Sequence, residues 1–558
     1  MKSFNTLFSK LTHSKAQLWT RPGLIYLGIA LWQGILLICS NAKTSFMAHD
    51  EGWYATLAYR MVRAGDWLTP RWGTALMYDK TSGVHWLIAT AYTLFGVSET
   101  TARIPSFVAS IASVLLIYAI STELTNRTAA LLGALSLSTV ILWTQYGQLA
   151  TQDMPMVAVE LFCIWALLRA ENQPTHCKHW GFLAGACLGL GFFVKGFMAF
   201  LPAVALLPYL VLNHRRHRHL TNLGLYLGLA TGIGLVLLWF YGLWTTHGAE
   251  PFRQLFGILA LAASKDYHGV GPWYYLWNIP ANFLPWSPLA IAGLIFILRD
   301  STLSRKWLTL GYPAVLLLLL QIFPTKTIYY PLQLYPFLGM YTGVALFQTT
   351  QQWPKLLHAK ASFPRGISFV YGLVGLIAAL LGAGLLLHQT LDLKIWNDPL
   401  GDELYQYALL ALLLGLGWVI TAGVWLSNRQ NPSIKKLSAW LASLLISPWL
   451  TVGAAGLAGL IGDYSPDVKA FCRQSEVEAV LQKNPVSFVV TGTVPGEDHK
   501  TWILTTFCTP TLGQHYTSTA ELKPTEYAWL SPQAQVSLPS NYRTIGQIRG
   551  WLLVQAPD

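Results

Sequence analysis

The stretch Gly366–Leu391 contains no Asp, Glu, Lys or Arg, and similar runs recur along most of the chain. No other feature constrains the fold as strongly. A bilayer core holds no water to satisfy backbone polar groups, so about 20 apolar residues wound into a helix form the unit that crosses it. About thirteen such spans are expected, near residues 23–41, 103–121, 129–146, 154–170, 180–194, 197–212, 221–244, 280–298, 307–323, 328–347, 367–388, 404–427 and 438–462. Composition agrees: 53% of the 558 residues are hydrophobic and 11% are charged, against about 25% charged in a soluble domain. The 24 Trp, 25 Tyr and 24 Phe suit aromatic belts at the headgroup level. The expected fold class is therefore an all-α polytopic membrane protein, which excludes soluble multidomain, disordered, collagen-like and coiled-coil classes. A net charge of +12 reads in this setting as topology and anionic-lipid contact rather than nucleic-acid binding.

Orientation follows from Lys and Arg. The segment before Gly23 carries Lys2, Lys10, Lys15 and Arg21 and no acid, so it is expected in the cytoplasm, with the first span retained as an anchor. Alternate threading then puts about 19 basic residues in short inner segments and about ten in outer loops. The inner set includes Arg127, Arg169, Lys178, Arg299, Arg305, Lys306, Lys355, Lys360, Arg365, Arg429, Lys435 and Lys436. The run Asn213–His219, with Arg215, Arg216 and Arg218, reads as a cytoplasmic topology anchor. An odd number of spans leaves 463–558 outside, so the expected organisation is a transmembrane domain over 1–462, with an outer loop at 42–101, and a soluble extracytoplasmic domain over 463–558. Pro and Gly turns and strand-length apolar runs at Val486–Val490, Thr501–Thr505 and Trp551–Gln555 make that domain a small α/β unit. Cys472 and Cys508 fall in it, free to pair in an oxidising compartment or to remain thiols. Cys39, Cys163, Cys177 and Cys187 sit in or beside spans as packing residues, and the six cysteines form no CxxC or metal spacing.

Ionisable groups are costly in a bilayer and mark function. On this threading Asp50, Glu51, Asp153, Lys195, His268 and Lys326 all lie at the outer interface, where a lipid phosphate resides. A transporter would place its charges near the midplane, where only Glu160 falls, without an assigned role. Four patterns stand out in the first outer loop: His49-Asp-Glu-Gly-Trp-Tyr54, Gly65-Asp-Trp-Leu-Thr-Pro70, Tyr78-Asp-Lys80 and Ala102-Arg-Ile-Pro-Ser106. Later come Gln148-Leu-Ala-Thr-Gln-Asp-Met154, Phe193-Val-Lys-Gly196, Pro272-Trp-Tyr-Tyr275, Leu284-Pro-Trp286 and Lys326 with Tyr329-Tyr-Pro331. Over roughly residues 20–350 this array resembles the polytopic glycosyltransferases of the GT-C superfamily that use polyprenyl-phosphate sugars. Within it the likeness is greatest to the bacterial lipid A aminoarabinose transferase group and more distant to the protein O-mannosyltransferases. One departure is plain: the family carries Lys-Pro-Pro in this loop, whereas Lys80 is followed by Thr81, Ser82 and Gly83.

The resemblance implies an enzyme of the bacterial inner membrane. It would move a sugar from a polyprenyl-phosphate donor to a glycolipid, such as lipid A or its core, or to a protein on the outer face. It assigns Asp50 as the base of a single inverting displacement, Glu51 to the acceptor or a cation, and Asp153 to orienting the site. Lys80, Lys195, Arg253, Lys265, Lys326, Tyr54 and Tyr78 are the expected donor- and phosphate-binding residues, and His268 an acceptor contact. A phosphate leaving group needs a base and cations but no acid. No cofactor is required by these motifs; a divalent ion on Glu51 and His268 is an open alternative. The sequence has no Walker loop and no dinucleotide-binding glycine pattern, consistent with a lipid-linked donor. The rival readings are a lipid-linked sugar flippase and a noncatalytic envelope-binding scaffold. Convergence of Asp50, Asp153 and Lys195 on one cavity separates the enzyme from both.

Overall fold

The computed structural model describes residues 22–73, 75–264, 269–300, 305–353, 362–390, 403–428 and 433–558. The apolar runs wind as helices. Seven among the described residues are long and apolar enough to cross a bilayer: Pro22–Ser40, Glu99–Leu124, Pro174–Leu212, Leu223–His247, Phe363–His388, Glu403–Ser427 and Ile434–Ala458. Two bent pairs raise the number to as many as nine, Arg127–Ser138 with Ile141–Gln148 at 70° and Tyr274–Asn282 with Ser287–Arg299 at 109°. The protein is thus mostly helical with seven to nine apolar crossings by this measure, where the sequence led us to expect about thirteen. The difference has local causes. The expected spans at 180–194 and 197–212 form one stretch, interrupted at Gly196, whose φ of 55° breaks the helix after Lys195. The expected 154–170 span is the helix Asp153–Asn172, which carries Asp153, Glu160, Arg169 and Glu171. The span expected at 307–323 is the shorter apolar helix Trp307–Ile322.

Helix Cys177–Lys195 presents Gly181, Gly185 and Gly189 to Leu223–His247, which answers with Gly224, Gly228 and Gly232. A Cβ built on Gly185 would stand 2.0 Å from the Leu225 carbonyl oxygen, and one on Gly228 1.9 Å from that of Phe182. The backbones therefore touch, which small residues permit in lipid. Packing of this kind fixes the end of the helix, where Lys195 sits.

Three of the basic residues expected on the inner side, Arg169, Arg216 and Arg305, meet at one end of the bundle. Glu171, nearly buried, pairs with Arg216 at 2.5 Å and Arg305 at 3.1 Å and accepts from Tyr209 at 2.9 Å, while Arg169 lies 3.8 Å from Glu123. Glu171 and Asp153 belong to the same helix; at about 1.5 Å rise per residue they are roughly 27 Å apart along its axis. Lys2, Lys10, Lys15, Arg21, Lys355, Lys360 and Arg429 lie outside the described residues.

The C-terminal part forms a five-stranded sheet. Its strands are β3 (Val486–Val489), β4 (Leu512–Tyr516), β5 (Tyr527–Leu530), β6 (Arg543–Ile548) and β7 (Trp551–Gln555), after a short ribbon of β1 (Arg71–Trp72) and β2 (Ala75–Leu76) in the first loop. The order is β4-β3-β5-β7-β6, parallel around β3 and antiparallel around β7. Thr501–Thr505, expected as a strand, lies instead in helix Gly496–Cys508. Glu497 and Asp498 occupy its first turn, where acids favour the helix dipole, and this local signal outweighs the β-branched run. Cys472 and Cys508 are free thiols.

That helix fastens the C-terminal unit to the first loop. The Arg60 guanidinium donates to the carbonyls of Thr506 at 2.6 Å, Thr509 at 2.7 Å and Pro510 at 2.9 Å, a cation on the last turn of a helix. Phe46, Tyr54, Ala55, Leu504 and Phe471 share one buried cluster with Trp529 and Trp551, so loop and sheet share a hydrophobic core.

Candidate active site

A cavity of about 530 Å³ opens where the first loop, two helix ends and the C-terminal unit meet. Its charged lining is Asp50, Asp79, Lys80, Asp153 and Lys195, joined by His49, Trp53, Tyr54, Tyr329, Tyr330 and His499. Its apolar wall is Leu255, Ile258, Leu259, Leu320 and Phe323. Asp50, Asp153 and Lys195 thus face one space, despite their separation in sequence.

Each polar group is placed by its local fold. Asp50 sits on a single wide π-type turn, Ala48–Gly52, at the start of helix Trp53–Ala64. Asp153 opens its helix, where the dipole favours an anion, and Lys195 ends another, where it favours a cation. The two are buried and bonded, Lys195 Nζ to Asp153 Oδ1 at 2.6 Å. The Lys195 ammonium also stands 5.9 Å from the Tyr329 ring and 5.6 Å from that of Tyr330, a cation–π contact with both. Lys80 is 3.9 Å from Asp79 and its side chain remains 35% exposed, so it is the more available cation.

Asp50 is set apart by its surroundings. Burial raises its pKa to about 6; the negative charge of Asp153 adds to the rise and the positive charge of Lys80 opposes it. A carboxyl in that range is mostly ionised at neutral pH yet takes a proton readily.

Glu51 is placed differently from the expectation that it would hold acceptor or cation. It is fully buried and does not line the cavity. Its carboxylate accepts from Arg103 Nε at 2.5 Å, Arg103 NH2 at 2.8 Å and the backbone N–H groups of Ala150 at 3.1 Å and Met47 at 3.2 Å. With both oxygens saturated it holds the turn that carries Asp50. Three expected donor contacts are also absent from the lining. Arg253 is exposed and paired with Glu250 at 3.2 Å, Tyr78 is buried and donates to the Leu68 carbonyl at 3.2 Å, and Lys326 donates to the Phe323 carbonyl at 2.8 Å. Lys265 and His268 lie outside the described residues. Glu160 is buried and accepts a hydrogen bond from Tyr312. Among the described residues no group of three or more His, Cys, Asp or Glu could hold a metal ion.

Among the lining residues without a role assigned from sequence, Asp79, His49, Trp53, Tyr329 and Tyr330 fall inside the recognisable motifs. His499 could not have been found, because nothing in a helix 450 residues downstream announces contact with His49.

Known proteins resemble the chain over most of its length. An undecaprenyl phosphate-alpha-4-amino-4-deoxy-L-arabinose arabinosyl transferase of Pseudomonas aeruginosa (strain LESB58) is 30% identical over 432 residues, 75% of this chain and 73% of its own length. The chain belongs to this family. Another arabinosyl transferase of that description, from Pseudomonas fluorescens (strain Pf0-1), is 27% identical over 479 residues, 83% of this chain and 80% of its own. Residues 79–241 match the dolichyl-phosphate-mannose-protein mannosyltransferase family. ArnT from Cupriavidus metallidurans, solved bound to undecaprenyl phosphate, shares the fold with a TM-score of 0.70 at 17% identity, covering 95% of this chain and 97% of its own. The protein is accordingly an integral-membrane glycosyltransferase, similar across nearly its whole length to that solved fold.

Proposed function

We propose that this glycosyltransferase moves a sugar from an undecaprenyl-phosphate donor to an acceptor on the outer face of the bacterial inner membrane. Asp50 is the base, the N-terminus is cytoplasmic and 463–558 form an extracytoplasmic domain. The donor class follows the relatives' names, and 4-amino-4-deoxy-L-arabinose is the sugar they carry. The acceptor is a glycolipid such as lipid A or its core. The carrying observation is one cavity that holds Asp50, with its pKa near 6, beside Lys80 and the Asp153–Lys195 pair.

The lining has three carboxylates and two ammonium groups, so it is one negative charge in excess when all are ionised. Arrival of a lipid phosphate adds negative charge, which raises the proton affinity of Asp50 at the moment it must act. The acceptor O–H gives its proton to the Asp50 carboxylate, and the oxygen attacks the anomeric carbon. The bond from that carbon to the phosphate oxygen breaks with inversion, and undecaprenyl phosphate leaves with its charge met by Lys80 and Lys195. Tyr329 and Tyr330 steady Lys195, and Tyr54 walls the sugar side. The apolar Leu255, Ile258, Leu259, Leu320 and Phe323 suit the first isoprene units.

The test is reconstitution with undecaprenyl-phosphate 4-amino-4-deoxy-L-arabinose and lipid A. The expected result is acceptor gaining the mass of one aminoarabinose residue, and no transfer to lipid A or core under any condition would reject the proposal.

A further inference from the structure

The cavity has one wall that the chemistry of the donor does not explain. His499 and Ile503, one turn apart on helix Gly496–Cys508, line it from the C-terminal unit. A His499 ring nitrogen, Nδ1, lies 3.0 Å from Nε2 of His49, the residue before the base. Trp53 stands behind the pair, its ring 6.2 Å from that of His499. Ile503 is fully buried, with its Cγ2 3.2 Å from where a Cβ on Gly52 would stand. The helix is therefore seated against the catalytic turn at its cavity end and latched by Arg60 at the other.

The hydrogen bond between the rings has a definite consequence. Two neutral imidazoles share one proton across it, and in either tautomer the two outer nitrogens are left as one N–H donor and one lone pair. His49 is exposed, His499 is half-buried, and both line the cavity. Burial holds both rings below the ordinary histidine range, assisted at His49 by the charge of Lys500 and opposed by that of Glu497, which keeps the pair neutral. A donor-plus-acceptor pair is matched to a polar headgroup. It gives a polyprenyl chain nothing to pack on and supplies no cation for the donor phosphate, which meets Lys80, Lys195 and the membrane helices instead.

We propose that the C-terminal unit completes the acceptor side of the cavity, and that His499, held by His49, is a positioning and specificity-determining residue for the acceptor headgroup. The inference rests on the transfer reaction proposed above and names the site of its second substrate. One hydrogen bond is worth roughly a factor of ten in affinity.

The experiment is steady-state transfer by the full-length protein in proteoliposomes, varying acceptor and donor separately, with undecaprenyl phosphate binding measured in parallel. His499→Ala is expected to raise the acceptor KM about tenfold while leaving donor KM, undecaprenyl phosphate affinity and thermal stability unchanged. His499→Gln, which can donate and accept, should recover much of the loss. His49→Ala should shift the acceptor KM in the same direction. Equal effects on donor and acceptor KM, no effect on either, or loss of thermal stability without rescue by Gln would overturn the assignment. Absence of transfer by the unaltered protein would instead reject the reaction itself.

Discussion

Replacing Arg103 by Met strips the buried Glu51 carboxylate of its paired cation and leaves it, among the described residues, with two backbone N–H groups, those of Ala150 and Met47. Both partners of the pair are 1% exposed or less, so solvent cannot compensate. Removing one member of such a pair costs about 3–5 kcal/mol, because the survivor is an uncompensated buried charge. Glu51→Gln does the converse: it preserves shape, strands the guanidinium and turns an NH2 towards existing donors. The double variant removes both charges and should be less destabilised than the sum of the two by about 2 kcal/mol. The assay is equilibrium unfolding in mixed micelles across that double-mutant cycle. Single costs below about 1 kcal/mol, or strict additivity, would refute the view that this pair fixes the catalytic turn. The cycle has a functional arm as well. Glu51→Gln should lower kcat with the acceptor KM unchanged, since Glu51 meets no substrate.

Three further outcomes follow from the same geometry. Lys195→Met leaves Asp153 buried without its ion pair and should weaken undecaprenyl phosphate binding at least tenfold, measurable by ligand titration; unchanged affinity would remove Lys195 from the phosphate site. Arg60→Met frees three carbonyls at the end of helix Gly496–Cys508 and should expose 463–558 to limited proteolysis with a loss of about 2 kcal/mol; an identical digestion pattern would contradict the latch. Because the base acts as a carboxylate, kcat/KM should rise with pH through about 6 and level off above it, and Lys80→Met, by removing the cation that lowers the Asp50 pKa, should move that limb upward. A limb that moves down, or a profile flat from roughly pH 5 to 8, would count against Asp50.

The apolar runs made the long helices legible: Pro22–Ser40, Glu99–Leu124 and Leu223–His247 fall where about twenty largely apolar residues demand a helix. Counting them was harder, because a kink at Thr139–Val140 or a break at Gly196 depends on what packs alongside. The charged site was legible in outline. Asp50, Lys80, Asp153 and Lys195 stood out because acids and lysines beside apolar helices demand an explanation, and they do share a cavity. Glu51, Arg253, Tyr78 and Lys326 are also expected at the site from sequence but lie off the cavity lining, since a residue's chemistry does not say whether its neighbours have already satisfied it. Glu51 is one residue from Asp50, yet the π-type turn sends it to Arg103. His499 and the Arg60 latch were hidden for another reason: both are contacts across more than 440 residues, with no local pattern to betray them.

Removal of the acceptor proton by Asp50 is read out by single-turnover transfer with the Asp50→Asn variant. With donor pre-bound and acceptor in excess, the rate should fall about 10²–10⁴-fold while undecaprenyl phosphate affinity and unfolding behaviour match the unaltered protein. A transfer rate within a few-fold of the original would contradict the account.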